Sequence, residues 1–350
     1  MKTRFFAVAI ISVLLLNVAG FAAGDTASAR AKKRQVTRLV SLLPASDGVA
    51  VFDSKRFLTD ALPKVLSANQ PMLAEIMAKF TEIETRTGID LRKFDQVAVG
   101  VAMKQISPTK VDYDSVAIAN GDINAGALIA IAKLASKGTY REEKSGDKTI
   151  YVFVAKDVLQ KAPAKPANSK VADIVDQALN GLTKEVAVSM LDSNTLVIGS
   201  LSRVRATIEA TSRVSADITG LLSIKESVVM SFAMKSPGGM ASLLPLDNDE
   251  LGTNVDSIEY LSGSVDVATT GTSVQLLART KKPEQAKGLK ETLEGLQVVG
   301  GAVFGGSKRA DQIIYGRMIK SAKIDGRGND VSLEILVPQA DIDGLISGIK

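Results

Sequence analysis

Val186-Ala187-Val188-Ser189-Met190, the turn Asp192-Ser193-Asn194, Leu196-Val197-Ile198 and then Ser200 spell two short strands, their connection and the cap of a helix. Short runs rich in Val and Ile and bounded by turn residues read as strands. Leu201, Val204 and Ile208 continue at helical spacing, and the Ser200 hydroxyl stands where it can accept from a free amide of the first turn. The phrase recurs along the chain. Val97 to Val101 and Val116 to Ile118 lead into an apolar helix over 125–134 that Gly138 closes. Leu261 to Val267 pairs across Gly271 with Val274 to Leu277, and Pro283 opens a helix with Ala286, Leu289, Leu293 and Leu296 inward. Gly326-Arg327-Gly328-Asn329 turns Ala322 to Ile324 back onto Val331 to Val337, before a short helix from Asp341. The second strands begin at 116, 195, 274 and 331, spacings of 79, 79 and 57, and the two equal intervals point to a copied ββα unit.

Further strands fit around this phrase. Gly48 to Asp53 is a short apolar run that reads as a buried strand. The next helix carries Pro71 in its first turn and Met72, Leu73, Ile76, Met77, Phe80 and Ile83 on one face, with Gly88 as its left-handed cap. Tyr140 to Glu143 and Thr149 to Val154 form a hairpin about Ser145-Gly146-Asp147, and Val228 to Ala233 is one more strand. Residues 48–144 and 228–325 thus both read strand, helix, strand, strand, helix, strand. The predicted fold class is α+β, built of repeated ββα and βαββαβ (ferredoxin-like) units, antiparallel sheets with helices packed on one face. An N-terminal α+β domain over 39–225 and a C-terminal one over 226–350 follow, with the Pro and Ala stretch 162–169 as an exposed loop of the first.

The chain opens with Lys2 and Arg4, the apolar run Phe5 to Leu16 and the Ala27-Ser28-Ala29 step, the three parts of a secretory signal peptide over 1–29. Arg30, Lys32, Lys33, Arg34 and Arg38 make 30–38 a basic tether. The protein is therefore expected outside the cytoplasm, periplasmic or extracellular, with an uncleaved N-terminal helix as the alternative.

Composition excludes more than it selects. Among 350 residues there is no histidine, no cysteine and no tryptophan. The commonest general base and metal ligand are missing, and with them every thiolate, disulfide and Cys-based zinc site. A net charge of +5 from 43 basic and 38 acidic residues is too mild for a nucleic-acid partner, and 4% aromatic residues leave few platforms for bases or sugars.

Local motifs read as structure. Gly301-Ala302-Val303-Phe304-Gly305-Gly306-Ser307-Lys308 reverses the Lys then Ser order of a phosphate loop and follows a helix, so a flexible connector is expected. Asp247-Asn248-Asp249-Glu250-Leu251-Gly252 lacks an oxygen ligand at Leu251 and has Ile258 where a calcium loop needs Glu. Ser107-Pro108-Thr109-Lys110 and Ser145-Gly146-Asp147-Lys148 share the Ser-x-x-Lys spacing of penicillin-recognising enzymes but lie in turns, where no helix brings the Lys to the Ser.

Leu43-Pro44-Ala45-Ser46-Asp47-Gly48-Val49-Ala50-Val51-Phe52-Asp53, with Thr87-Gly88-Ile89-Asp90 and Phe94-Asp95-Gln96-Val97-Ala98-Val99-Gly100, resembles the opening of uncharacterised bacterial exported proteins made of repeated strand and helix units. The resemblance covers about 43–200, rests on structural motifs and implies export with no catalytic residue.

We assign no catalytic, cofactor-binding or metal-ligating residue. The expectation is a non-catalytic exported protein that binds an unknown ligand or protein partner, with no cofactor, no nucleic acid, and membrane contact only through the tether 30–38. Two other readings are a His-independent hydrolase using carboxylate or Ser/Lys chemistry, and an envelope-membrane-associated scaffold.

Overall fold

A computed structural model of the chain describes residues 27–107, 110–154, 185–238, 240–243 and 250–347. The expected signal peptide falls outside these residues up to 26, as does the loop 162–169. Among the described residues twelve strands form one sheet: β1 (Gly48–Asp53), β2 (Phe94–Ser107), β3 (Lys110–Gly121), β4 (Tyr140–Ser145), β5 (Lys148–Val154), β6 (Glu185–Asp192), β7 (Thr195–Gly199), β8 (Val228–Lys235), β9 (Ile258–Ala268), β10 (Gly271–Thr280), β11 (Lys323–Arg327) and β12 (Asp330–Pro338). The order across it is β11-β12-β10-β9-β8-β1-β2-β3-β7-β6-β5-β4. The protein is α+β with a large antiparallel sheet.

Two expectations bear on this sheet. A split βαβ unit sets two of its strands parallel. Those two strands have a third between them, whereas β1 and β2, which are joined through helices, are direct antiparallel neighbours here. The order follows the chain outward from β1 to β3 and from β8 to β10, then runs backward through β7-β6-β5-β4 on one side and β12-β11 on the other, so ferredoxin-like interleaving does not occur among the described strands. The sheet also crosses the boundary expected between 225 and 226, because β1 pairs with β8 from Gly48 opposite Met234 to Phe52 opposite Met230.

Helices cover both faces and not one. Side chains opposite each other in register share a face. Val51, Ala98, Ile118 and Val197 form such a row across β1, β2, β3 and β7, and all four are buried. They pack under α1 (Ala27–Leu42) through Val36, Leu39 and Val40, under α5 (Leu201–Glu209) through Val204 and beside Ile218 of α6 (Ala216–Thr219). The segment 30–38, expected as a solvated tether, lies within α1, whose buried residues recur at helical spacing.

The neighbouring row, which includes Phe52 and Leu196, faces the opposite way. There the helical stretch α2 (Ser54–Arg56, the π-turn Phe57–Ala61 and Leu62–Val65) and α3 (Gln70–Thr87) meet Phe52, Val229 and Val267. The later helices are α7 (Met240–Leu243), α8 (Glu250–Asp256), α9 (Pro283–Gly305), α10 (Ala310–Ser321) and α11 (Gln339–Ser347). Ile314 and Met318 of α10 and Ile342 and Ile346 of α11 join the same core as Val267 and Val337. On the first face, the row Ser264, Gln275, Glu334 and Lys323 carries polar side chains across β9, β10, β12 and β11. A strand covered on both sides must be apolar at successive positions, as Val51 and Phe52 are; one covered on a single side alternates.

Two of the predicted helix caps are present, whereas the helix Ala125–Ala135 is capped at Ser136, two residues before the expected Gly138. Gly88 adopts φ 71° at the end of α3, and the Ser200 hydroxyl accepts from Arg203 N at 3.3 Å at the start of α5. The Ser145 to Lys148 turn joins β4 to β5, as expected. Gly301 to Gly305, expected as a connector, instead continues α9, which runs 23 residues or about 34 Å.

Candidate functional site

The helix α4 (Ala125–Ala135) is capped by Asn124, whose side-chain oxygen accepts from Ala127 N at 2.9 Å. Ala125 and Ile129 are buried against Leu196, so this end of the helix is pinned to β7. Beyond it, α4 stands off the strands β5 and β6 and leaves an open groove of about 310 Å³. Gly126, Ile129, Ala130 and Lys133 form one wall, with Tyr151 and Met190 on the strand side. That volume is at the small end of ligand pockets.

Charges in the groove are already compensated. Lys133 Nζ donates to Glu142 Oε1 at 2.8 Å and lies over the rings of Tyr151 and Tyr140, 4.1 and 5.2 Å from their centroids. The bond to Glu142 outweighs desolvation and holds the ammonium pKa above its ordinary value, so the cation persists through neutral pH. Two π faces and a carboxylate fix its direction. At the rim Lys148 Nζ sits 3.2 Å from Asp147 Oδ2, and Arg38 Nη2 donates to Asp192 Oδ2 at 2.6 Å. The surface left for a ligand is the apolar bed of Ile129, Tyr151 and Met190. Among the described residues no three acidic side chains converge as a metal site.

The structure scatters the motifs that sequence spacing singled out. Ser145, Asp147 and Lys148 stay in their hairpin turn, with the Ser145 hydroxyl 3.3 Å from Glu209 Oε1. Ser107 and Lys110 end β2 and begin β3, and 108–109 lie outside the described residues. Of the acidic loop, 247–249 are likewise outside, while Glu250 to Gly252 begin α8.

Sequence reading missed Arg203. It lies between Leu201 and Val204 on α5, yet its guanidinium is buried and donates to Ala45 O and Ser46 Oγ, both at 2.6 Å. Burial pulls its pKa below the usual arginine range, opposed by the charges of Asp114 and Asp47. Only the partners in the 43–47 segment, remote in sequence, reveal this role; no local signal marks it.

Architecture and groove together define an α+β protein with one large antiparallel sheet and a small, charge-compensated cleft at its edge. No family model matches the chain, and no curated protein matches it. Among solved structures, crystal form III of TP0453 aligns at 11% identity and a TM-score of 0.41 over 89% of this chain and 96% of that one. Crystal form I of TP0453 aligns at 10% identity and 0.40, over 88% and 96%. Similarity at this level carries neither fold detail nor role from one chain to the other.

Proposed function

We propose that the chain is a non-catalytic, exported protein of the bacterial envelope that holds a small, largely apolar ligand in the groove between α4 and β5–β6. The observation that carries this reading is the pairing of the groove's charges. Lys133 is committed to Glu142, Lys148 to Asp147 and Asp192 to Arg38. Proton transfer needs a group held ready for a substrate, and these are held for one another. What remains is an apolar bed with polar edges, suited to retention. The N-terminal charge, apolar run and small-residue step favour export.

The scaffold is, in the same proposal, a duplicated βαββαββα unit. Two corners support this. In the first half Gly121 pairs with Phe94 and Asn120 with Gln96, skipping Asp95; in the second Thr280 pairs with Ile258 and Arg279 with Tyr260, skipping Glu259. At both corners a hairpin-turn Asn closes the strand end. Gly121 N donates to Asn194 O at 3.3 Å and Thr280 N to Asn329 O at 2.9 Å. The amides of Asn194 and Asn329 donate in turn to Ile123 O at 3.1 Å and Lys281 O at 3.2 Å.

Native mass spectrometry of the protein purified from its own envelope tests the binding reading. The expected result is a retained small molecule that is lost from Gly126→Trp, in which the indole occupies the groove. A bare protein, a molecule held equally by the variant, or turnover of any substrate abolished by one replacement ends the reading.

A further inference from the structure

The groove between α4 and β5–β6 keeps one charge that its pairings leave over. Glu142 with Tyr151 and Lys144 with Thr149 are register pairs two residues apart on the β4–β5 hairpin, so all four side chains stand on the face toward α4. Glu142 is taken by Lys133, which the rings of Tyr140 and Tyr151 also hold. Lys144 lies about 7 Å further along the strand. Its Nζ donates to the Thr149 hydroxyl at 2.7 Å, and among the described residues it forms no ion pair.

Around the groove Lys133 cancels Glu142, Lys148 cancels Asp147 and Arg38 cancels Asp192. Arg141 and Arg205 meet Glu143 and Glu185 on the other face of the hairpin, where Glu209 also lies beside Ser145. Among the described residues of the groove face, the charge that remains is the ammonium of Lys144. Beside it Thr149 lines the groove. Its oxygen accepts from Lys144, so its own proton is available to a ligand. An ammonium and a hydroxyl donor side by side match the two oxygens of a carboxylate.

From this end the groove follows α4, along which Gly126 and Lys133 are about 10 Å apart. Ile129, Tyr151 and Met190 make its apolar bed, and Gly126 and Ala130 let the helix backbone come close. The volume of about 310 Å³ holds about ten groups the size of a water molecule.

The geometry points to an aliphatic carboxylate of about eight to ten carbons as the occupant, its head on Lys144 and Thr149 and its chain on Ile129, Tyr151 and Met190. This inference rests on the reading of the groove as an apolar ligand site and names the ligand's class. A phosphate monoester would bring a second negative charge with no partner here. An ammonium head would meet the Lys144 cation.

Calorimetric titration of the purified protein at neutral pH, below the micelle concentration of the ligand, tests this. Decanoate is expected to bind one molecule per chain, and decanol at least tenfold more weakly. Lys144→Gln should weaken decanoate at least tenfold and leave decanol unchanged. Gly126→Trp should remove both, with its circular dichroism unchanged. Decanol bound as tightly as decanoate, or decanoate indifferent to Lys144→Gln, would overturn the anionic head and leave the apolar groove standing. Decanoate that does not bind would overturn the proposal as well. Binding that survives Gly126→Trp would overturn it together with the reading on which it rests.

Discussion

In the proposed duplication the helices α4 and α9 occupy the same place in the two halves, and they end differently. Each follows a strand that closes on a bulge and a turn asparagine, and each buries its first turns, Ala125 and Ile129 in one case and Ala286 and Leu289 in the other. Beyond the anchor they diverge. The chain after α4, which has 11 residues, makes the hairpin β4–β5, widens the sheet and leaves a groove. The chain after α9, which has 23, returns as α10 and leaves a helix face in solvent. The anchored turns hold the architecture while the extensions are free to differ, so new surfaces arise where the sheet no longer dictates the sequence.

The sharpest way to break the comparison is at the corners. Gly121→Ala puts a Cβ 2.0 Å from Lys93 O and 2.7 Å from Asp95 N, both backbone atoms that cannot swing away. The bulge must open, and we expect a loss of more than about 4 kcal/mol in urea unfolding, or no folded protein. Thr280 already carries a side chain at the matching corner, and its hydroxyl lies 2.9 Å from Lys282 O and 3.1 Å from Asn329 O. Thr280→Ala should cost about 1–2 kcal/mol. If the first variant is no worse than the second, the corners are not built alike.

Next in size is the contrast along α9 itself. Leu289 is fully packed in the cluster with Ala278 and Val331, so Leu289→Ala should cost about 3 kcal/mol. Leu296→Ala, two turns on, where the side chain is 48% exposed, should change stability by less than about 0.5 kcal/mol. Measured by urea titration, similar losses for the two would show that the outer half of α9 is core after all.

This contrast also marks where the sequence stops being informative. Apolar runs and turn residues locate β1 to its end residues, the cap at Gly88 and the hairpins at 145–148 and 192–195, because each is decided by neighbours in the chain. The side of the sheet on which each helix lies is decided by strand order, and strand order depends on contacts such as β1 with β8 that no local pattern records. The apolar period of α9 continues to Val303, so periodicity alone could not tell an inward Leu289 from an outward Leu296. The basic residues of 30–38 drew attention from Val36, Leu39 and Val40, whose spacing did announce a helix. The groove was illegible for a similar reason. Lys133 meets Tyr140, Glu142 and Tyr151 only because β4 and β5 fold back beside α4.

The smallest expected effect separates the two hairpin corners electrostatically. At the second, Arg279 grips Asp330 through Nε and Nη2 at 2.7 and 2.8 Å. At the first, Asp192 accepts from Asn194 N at 2.9 Å and from Arg38 on a different face element at 2.6 Å. Burial pushes the Asp192 pKa up, but the bonds from Asn194, Thr195 and Arg38 with the Arg38 charge outweigh it, and the net displacement is downward. A carboxylate whose pKa falls on folding stabilises the native state at pH above its unfolded value of about 3.9, and that contribution is lost as pH drops through the folded value. Because the Asp192 side chain is 38% exposed, solvent screening holds the contribution below about 1 kcal/mol. Asp192→Asn keeps an acceptor for Asn194 N and removes the charge. The stability gap between wild type and this variant, from urea titrations at neutral pH and at successive steps below pH about 4, should be present at the first and close across the second. A gap that stays constant through the acid range would mean that shape, and not the charge of Asp192, ties α1 to this corner.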